Sequence, residues 1–175
     1  PSLCAFELCK AYSQGVRSQW IINVGDIKPA EMELEFCMDL AWDVEAWGPE
    51  KAHEYTRYWA AKTFGQEFAD EYATIKRAYY RLAAAGKPEH VNMIPYTIEE
   101  MDARISEYEE CVKKSDALKA RIPASLQDAY YQLMEYPLKA ASEQNRKIFR
   151  AYQSLELAKA GQKDKALEYA SEARM

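Results

Sequence analysis

At 175 residues, 49% apolar and 29% charged, the chain has the length and mixture of a folded globular protein rather than a disordered or membrane one. Its formal charge is −5, with no Lys/Arg stripe interleaved with aromatics, which argues against a nucleic-acid partner because phosphate binding needs clustered cations. It also lacks the run of roughly 18 apolar residues that a membrane span requires.

In chain order, Leu3, Phe6, Leu8, Cys9 and Tyr12 recur at a mostly helical spacing, and Gly15 is suited to the C′ position that ends the helix. Gln19–Val24 follows, apolar on both faces: Trp20 and Ile22 on one, Ile21 and Val24 on the other. This is the pattern of a parallel strand covered on both sides. Pro29 opens the next helical stretch, and Glu31, Glu33 and Glu35 lie near its positive end. The stretch predicts a helix to about Asp43. Helix, strand, loop and helix together make an α–β–α slice of a barrel or of a doubly wound α/β fold. A strand cannot satisfy its own backbone groups, and no second strand follows in the sequence. It therefore pairs with another molecule, or the chain is a piece of a larger polypeptide, which is the expectation preferred here.

The composition changes at Gly48-Pro49, and the rest reads as helices. One runs from Glu50 to about Thr63, and another from about Gln66 to Ala85, stopped by Gly86-Lys87-Pro88. Thr97-Ile98-Glu99-Glu100 is a capping box at the head of a long helix that ends before Ile122-Pro123. The next helix spans about Ala124 to Lys159, with a kink or break expected at Tyr136-Pro137, because proline lacks the donor for the Leu133 carbonyl. Gly161 separates a short last helix, Lys163 to Ala173. Short breaks between amphipathic helices predict an antiparallel bundle. No helical repeat in register is present.

Chemistry-bearing groups are few. At the carboxyl end of the predicted strand stand Asn23, Asp26 and Lys28, where α/β barrels place ligand-facing side chains. An amide, a carboxylate and an ammonium can bind a polar ligand that carries hydroxyl and carboxylate groups. The competing roles are structural: Asp26 capping a turn or the next helix, Asn23 satisfying loop backbone, and Lys28 solvated. His53 and His90 have no converging partners, and Cys4, Cys9, Cys37 and Cys111 fit no zinc or C-x-x-C spacing, so neither a metal nor a cofactor is expected. The cysteines read as small hydrophobes in helical patterns. The 13 Tyr and 4 Trp suit large core or interface side chains, and also sugar-binding proteins.

The segment Trp20-Ile21-Ile22-Asn23-Val24-Gly25-Asp26-Ile27-Lys28-Pro29, followed by Glu35-Phe36-Cys37-Met38-Asp39-Leu40-Ala41-Trp42, resembles the end of the catalytic barrel in glycoside hydrolase family 115, the xylan α-glucuronidases. Gly86-Lys87-Pro88-Glu89, Ile94-Pro95-Tyr96 and Tyr131-Gln132-Leu133-Met134-Glu135-Tyr136-Pro137-Leu138-Lys139-Ala140 resemble the helical domain that follows it. The resemblance implies a mainly α chain: a terminal helix–strand–helix piece of a (β/α)8 barrel in residues 1–47, then a four- to five-helix antiparallel bundle in residues 48–175. It also implies a secreted or periplasmic enzyme that removes glucuronic acid or its 4-O-methyl ether from xylan with inversion. Asn23 would face the sugar pocket, with Asp26 and Lys28 as further substrate-binding candidates.

An inverting acid and base stand roughly 6.5–9.5 Å apart and come from several strand ends of a barrel, so neither is assigned within these residues. The chain alone is expected to be inactive. The expected partners are a glucuronoxylan oligosaccharide, the rest of the parent polypeptide and, as one state, a second copy in a homodimer. The alternative reading is a non-catalytic helical interaction module whose lone strand pairs with a partner's sheet.

Overall fold

The computed structural model describes residues 1–174, and every regular element among them is helical. By its packing the chain divides into two compact units, residues 1–74 with 121–133 and residues 75–120 with 134–175.

In the first unit, α1 (Ser2–Ser13) ends as its sequence predicts, with Gly15 at φ 94° in the left-handed region just past the Gln14 cap. The expected strand Gln19–Val24 does not form. The segment is irregular, because a ladder needs a second extended segment to exchange hydrogen bonds with, and the described residues contain no strand. α2 (Glu31–Trp42) starts two residues after Pro29, with Glu31 and Glu33 in its first turn. A 3-10 turn (Ala52–Glu54) leads into α3 (Tyr55–Thr63), and α4 (Ala69–Ala85) follows.

The aromatic surplus makes the core of this unit. Phe36 stacks edge-on to Tyr55 with centroids 4.9 Å apart, Trp47 meets Tyr55 at 4.8 Å, and Phe64 contacts both Tyr72 at 5.1 Å and Tyr130 at 5.8 Å. Tyr55, Tyr72 and Tyr130 are fully buried. Polar groups tie α2 to the elements after it: Glu35 accepts from Trp59 Nε1 at 2.8 Å and from Lys62 Nζ at 2.7 Å, and Asp39 accepts from Tyr55 OH at 2.7 Å.

The second unit packs α7 (Tyr136–Lys159) against both α5 (Ile98–Lys119) and α8 (Lys163–Glu172). The capping box forms as expected: Glu100 N donates to Thr97 Oγ1 and Thr97 N to Glu100 Oε2. Near Pro137 the predicted interruption is a π-helical turn, Tyr131–Glu135, set between the short α6 (Gln127–Tyr130) and α7. Placed in the first turn of α7, the proline needs no intrahelical donor.

Met101, Ile105, Phe149 and Val91 form one buried cluster. Beside it the buried Arg104 donates through Nε to Asn145 Oδ1 at 2.7 Å and through Nη2 to the Gly86 carbonyl at 2.6 Å. Tyr96 closes the corner: its ring stacks edge-on to Phe149 at 5.3 Å and its hydroxyl donates to the Ala85 carbonyl at 3.0 Å. That hydroxyl lies 2.3 Å from where a Cβ on Gly86 would stand, so lack of room fixes the glycine.

Candidate functional site

Residues 16–30 connect α1 to α2 and carry the three candidate side chains. Without a ladder, the segment still keeps a strand's alternation. Val24, expected on the face of Ile21, lies instead with Trp20 and Ile22, because residues two apart share a face. Trp20, Ile22 and Val24 turn toward Leu34, Met38 and Ala41 of α2 and enclose with them a groove of about 380 Å³. Ile21 lies on the opposite side, 86% exposed, with Asn23 also exposed. Trp20 fixes the start of the segment, donating from Nε1 to the Val16 carbonyl at 2.7 Å and meeting Tyr12 edge-on at 6.4 Å.

Asp26 and Lys28 lie further along, both exposed: Lys28 in the turn closed by Ala30 N donating to the Ile27 carbonyl at 2.6 Å, and Asp26 just before it. The chain thus brings Asn23, Asp26 and Lys28 onto one exposed connection. Among the described residues, no hydrogen bond links these three side chains to one another. An exposed amide, carboxylate and ammonium offer both donors and acceptors to a polar ligand.

Spacing did not single out Arg17. Its guanidinium lies 4.6 Å from the Tyr12 ring centroid, held by a cation–π contact at the mouth of the same groove. The available signal was a lone cation between a helix-ending glycine and a tryptophan. A second cavity, about 400 Å³, is lined by Val91–Tyr96, Met101, Ile148, Phe149 and Tyr152 in the other unit, and none of the candidate residues lines it.

His53 is exposed in the 3-10 turn, 3.8 Å from Glu54, and His90 is exposed in the 3-10 turn Pro88–Met93. Among the described residues no group of three or more His, Cys, Asp or Glu side chains is arranged to hold a metal ion. No described helix is long and apolar enough to cross a membrane.

Seven large apolar side chains between Leu3 and Trp42 are exposed, among them Leu3 at 74% and Trp42 at 93%. Bare apolar surface of this extent marks an interaction surface. The model of glycosyl hydrolase family 115 matches residues 1–90, just over half of the chain, and the chain belongs to this family. A solved structure described as a novel family GH115 4-O-methyl-α-glucuronidase, with specificity for decorated arabinogalactans, superposes with a TM-score of 0.82 at 32% identity. The superposition covers 86% of this chain and 22% of that one, so this chain spans less than a quarter of that protein's length. No curated protein matches the chain.

Proposed function

We propose that the chain is a portion of an α-glucuronidase. Residues 1–47 would be the end of the catalytic barrel and residues 48–175 the helical bundle domain that follows it. In this reading residues 19–24 are the last barrel strand, irregular here because its neighbours belong to the preceding part of the polypeptide. The observation that carries the reading is the alternation of the segment. Barrel helices pack on the outer faces of the strands, and α2 lies on the side of Trp20, Ile22 and Val24. The side bearing Ile21 and Asn23 is then the barrel interior, with Asn23 next to the strand's carboxyl end, where barrels bind substrate.

The enzyme would release glucuronic acid or its 4-O-methyl ether from polysaccharide side chains with inversion. Asn23 would hydrogen-bond the uronic acid, with Asp26 and Lys28 as outer contacts. The acid and base would come from other strand ends, leaving these residues inactive alone. Glucuronoxylan oligosaccharide is one substrate of this reading. Decorated arabinogalactan is the other, favoured by the specificity of the structural relative at 32% identity. A secreted or periplasmic location follows from either polymer. The interaction-module alternative accounts for the uncovered segment equally well, but the family membership weighs against it.

The test is uronic acid release by the parent enzyme, wild type and Asn23→Ala, from both polysaccharides. Loss of one substrate hydrogen bond lowers kcat/KM by about tenfold, and by more if the bond is to the sugar carboxylate. Unchanged kcat/KM on both substrates removes Asn23 from the site. Product release from only one of them identifies the polymer.

A further inference from the structure

The connection between α4 and α5 walls a cleft of about 400 Å³ against α7 in the second unit. Its floor is set before any ligand arrives. Val91 and Phe149 are buried in one core cluster, and Tyr96 is held by its ring contact with Phe149 and its hydrogen bond to Ala85. Pro95 adds a fixed φ to the wall. The volume falls within the roughly 300–1,000 Å³ of small-ligand clefts.

The lining selects by chemistry. Among the described residues no carboxylate, ammonium, guanidinium or imidazole lines the cleft. A charged ligand such as a uronate would lose water there and gain no counter-charge. Three aromatic rings, Tyr96, Phe149 and Tyr152, supply apolar surface, and Tyr152 is the reachable one at 47% exposure. Asn92 is exposed as well, and neither its amide nor the Tyr152 hydroxyl has a hydrogen-bond partner among the described residues. A pyranose has a face of C–H groups, which stacks on an aromatic ring, and a rim of hydroxyls, which needs donors and acceptors of this kind.

We propose that this cleft is a second carbohydrate site, which binds a neutral pyranose of the polysaccharide main chain apart from the uronic acid pocket. The occupant rests on the glycosidase reading, which supplies the polysaccharide; the preference for a neutral sugar rests on the lining alone. Tyr152 stacks on the C–H face of the sugar, and its hydroxyl and the Asn92 amide bond the sugar's hydroxyl groups. The absence of a counter-charge directs the site to main-chain residues that carry no uronic acid.

The test uses the full-length parent enzyme with xylohexaose and galactohexaose, neither carrying uronic acid. Calorimetry is expected to detect binding of one of them, which identifies the polymer, and Tyr152→Ala is expected to weaken that binding about tenfold. Hydrogen exchange in the wild type locates the ligand: the amides of residues 91–94 are expected to exchange more slowly once it is added. Three results would overturn the proposal: no binding of either oligosaccharide, binding undiminished by the substitution, or binding that leaves those amides unaltered. The wild-type exchange decides the matter even if the variant fails to fold. Uronic acid release is measured alongside. Release without neutral-sugar binding removes the second site alone, whereas binding without release removes the glycosidase reading alone.

Discussion

Glu35 couples local chemistry to stability in a way that pH can expose. The hydrogen bond from Lys62 holds its carboxyl below the ordinary value of 4.5; burial opposes this and the bond from Trp59 adds to it. A depressed folded-state value means that the carboxylate stabilises the fold fully above the unfolded value, and that this contribution drains away as pH falls through the folded one. Glu35→Gln is therefore expected to lower the urea midpoint at neutral pH. The gap from wild type should close progressively as pH drops below 4.5. A gap that stays constant across an acid series would mean that the ionised form contributes nothing. Glu135 has the same direction with a different balance: burial resists its charge, and the Lys119 and Lys139 ammonium groups outweigh it.

For single elements the clearest case is the head of α5. Thr97 and Glu100 satisfy two amide donors that the helix cannot bond internally. Thr97→Ala is expected to cost about 1 kcal/mol in denaturant unfolding, with Thr97→Ser retaining most of it. This cap was legible in the sequence because both partners lie within four residues. So was the stop at Gly15, since its left-handed torsion is a local demand. The interruption before Pro137 was legible as a place but not as a π turn, because which carbonyls the extra residue relieves depends on packing around it. For residues 19–24 the alternation was legible and the absence of a formed strand among the described residues was not, because alternation is written locally whereas a ladder is a property of two segments. The candidate side chains Asn23, Asp26 and Lys28 were legible as a loop cluster. The Arg17–Tyr12 stack was not, since only tertiary folding brings that pair together.

At the scale of the molecule, the uneven covering of apolar surface matters most. Ile21, Ile27 and Trp42 lie bare around the candidate segment, while Phe36, Leu40 and Met32 of the same stretch are fully enclosed. Burying a side chain as large as Trp42 is worth roughly 2–3 kcal/mol, so this surface should drive docking onto a complementary apolar face. Amide hydrogen exchange measures this directly. In the isolated 175-residue chain the amides of residues 19–24 are expected to exchange at near-unprotected rates, and in the parent enzyme to be protected by a formed ladder. Equal, fast exchange in both would deny the segment any strand partner in the parent.

The corner at Gly86 also constrains which sequence changes are compatible with one another. Tyr96 cannot swing clear of a new methyl group, being held by the Ala85 carbonyl, the Phe149 ring and the Arg104 guanidinium at 5.5 Å. Gly86→Ala alone should therefore be strongly destabilising. With the hydroxyl removed by Tyr96→Phe, the next obstacle is the flexible end of Ile94 at 2.8 Å, and much of the loss should return. The two positions are thus epistatic: an alanine at one is expected to be admissible only in backgrounds that have already given up the phenol at the other.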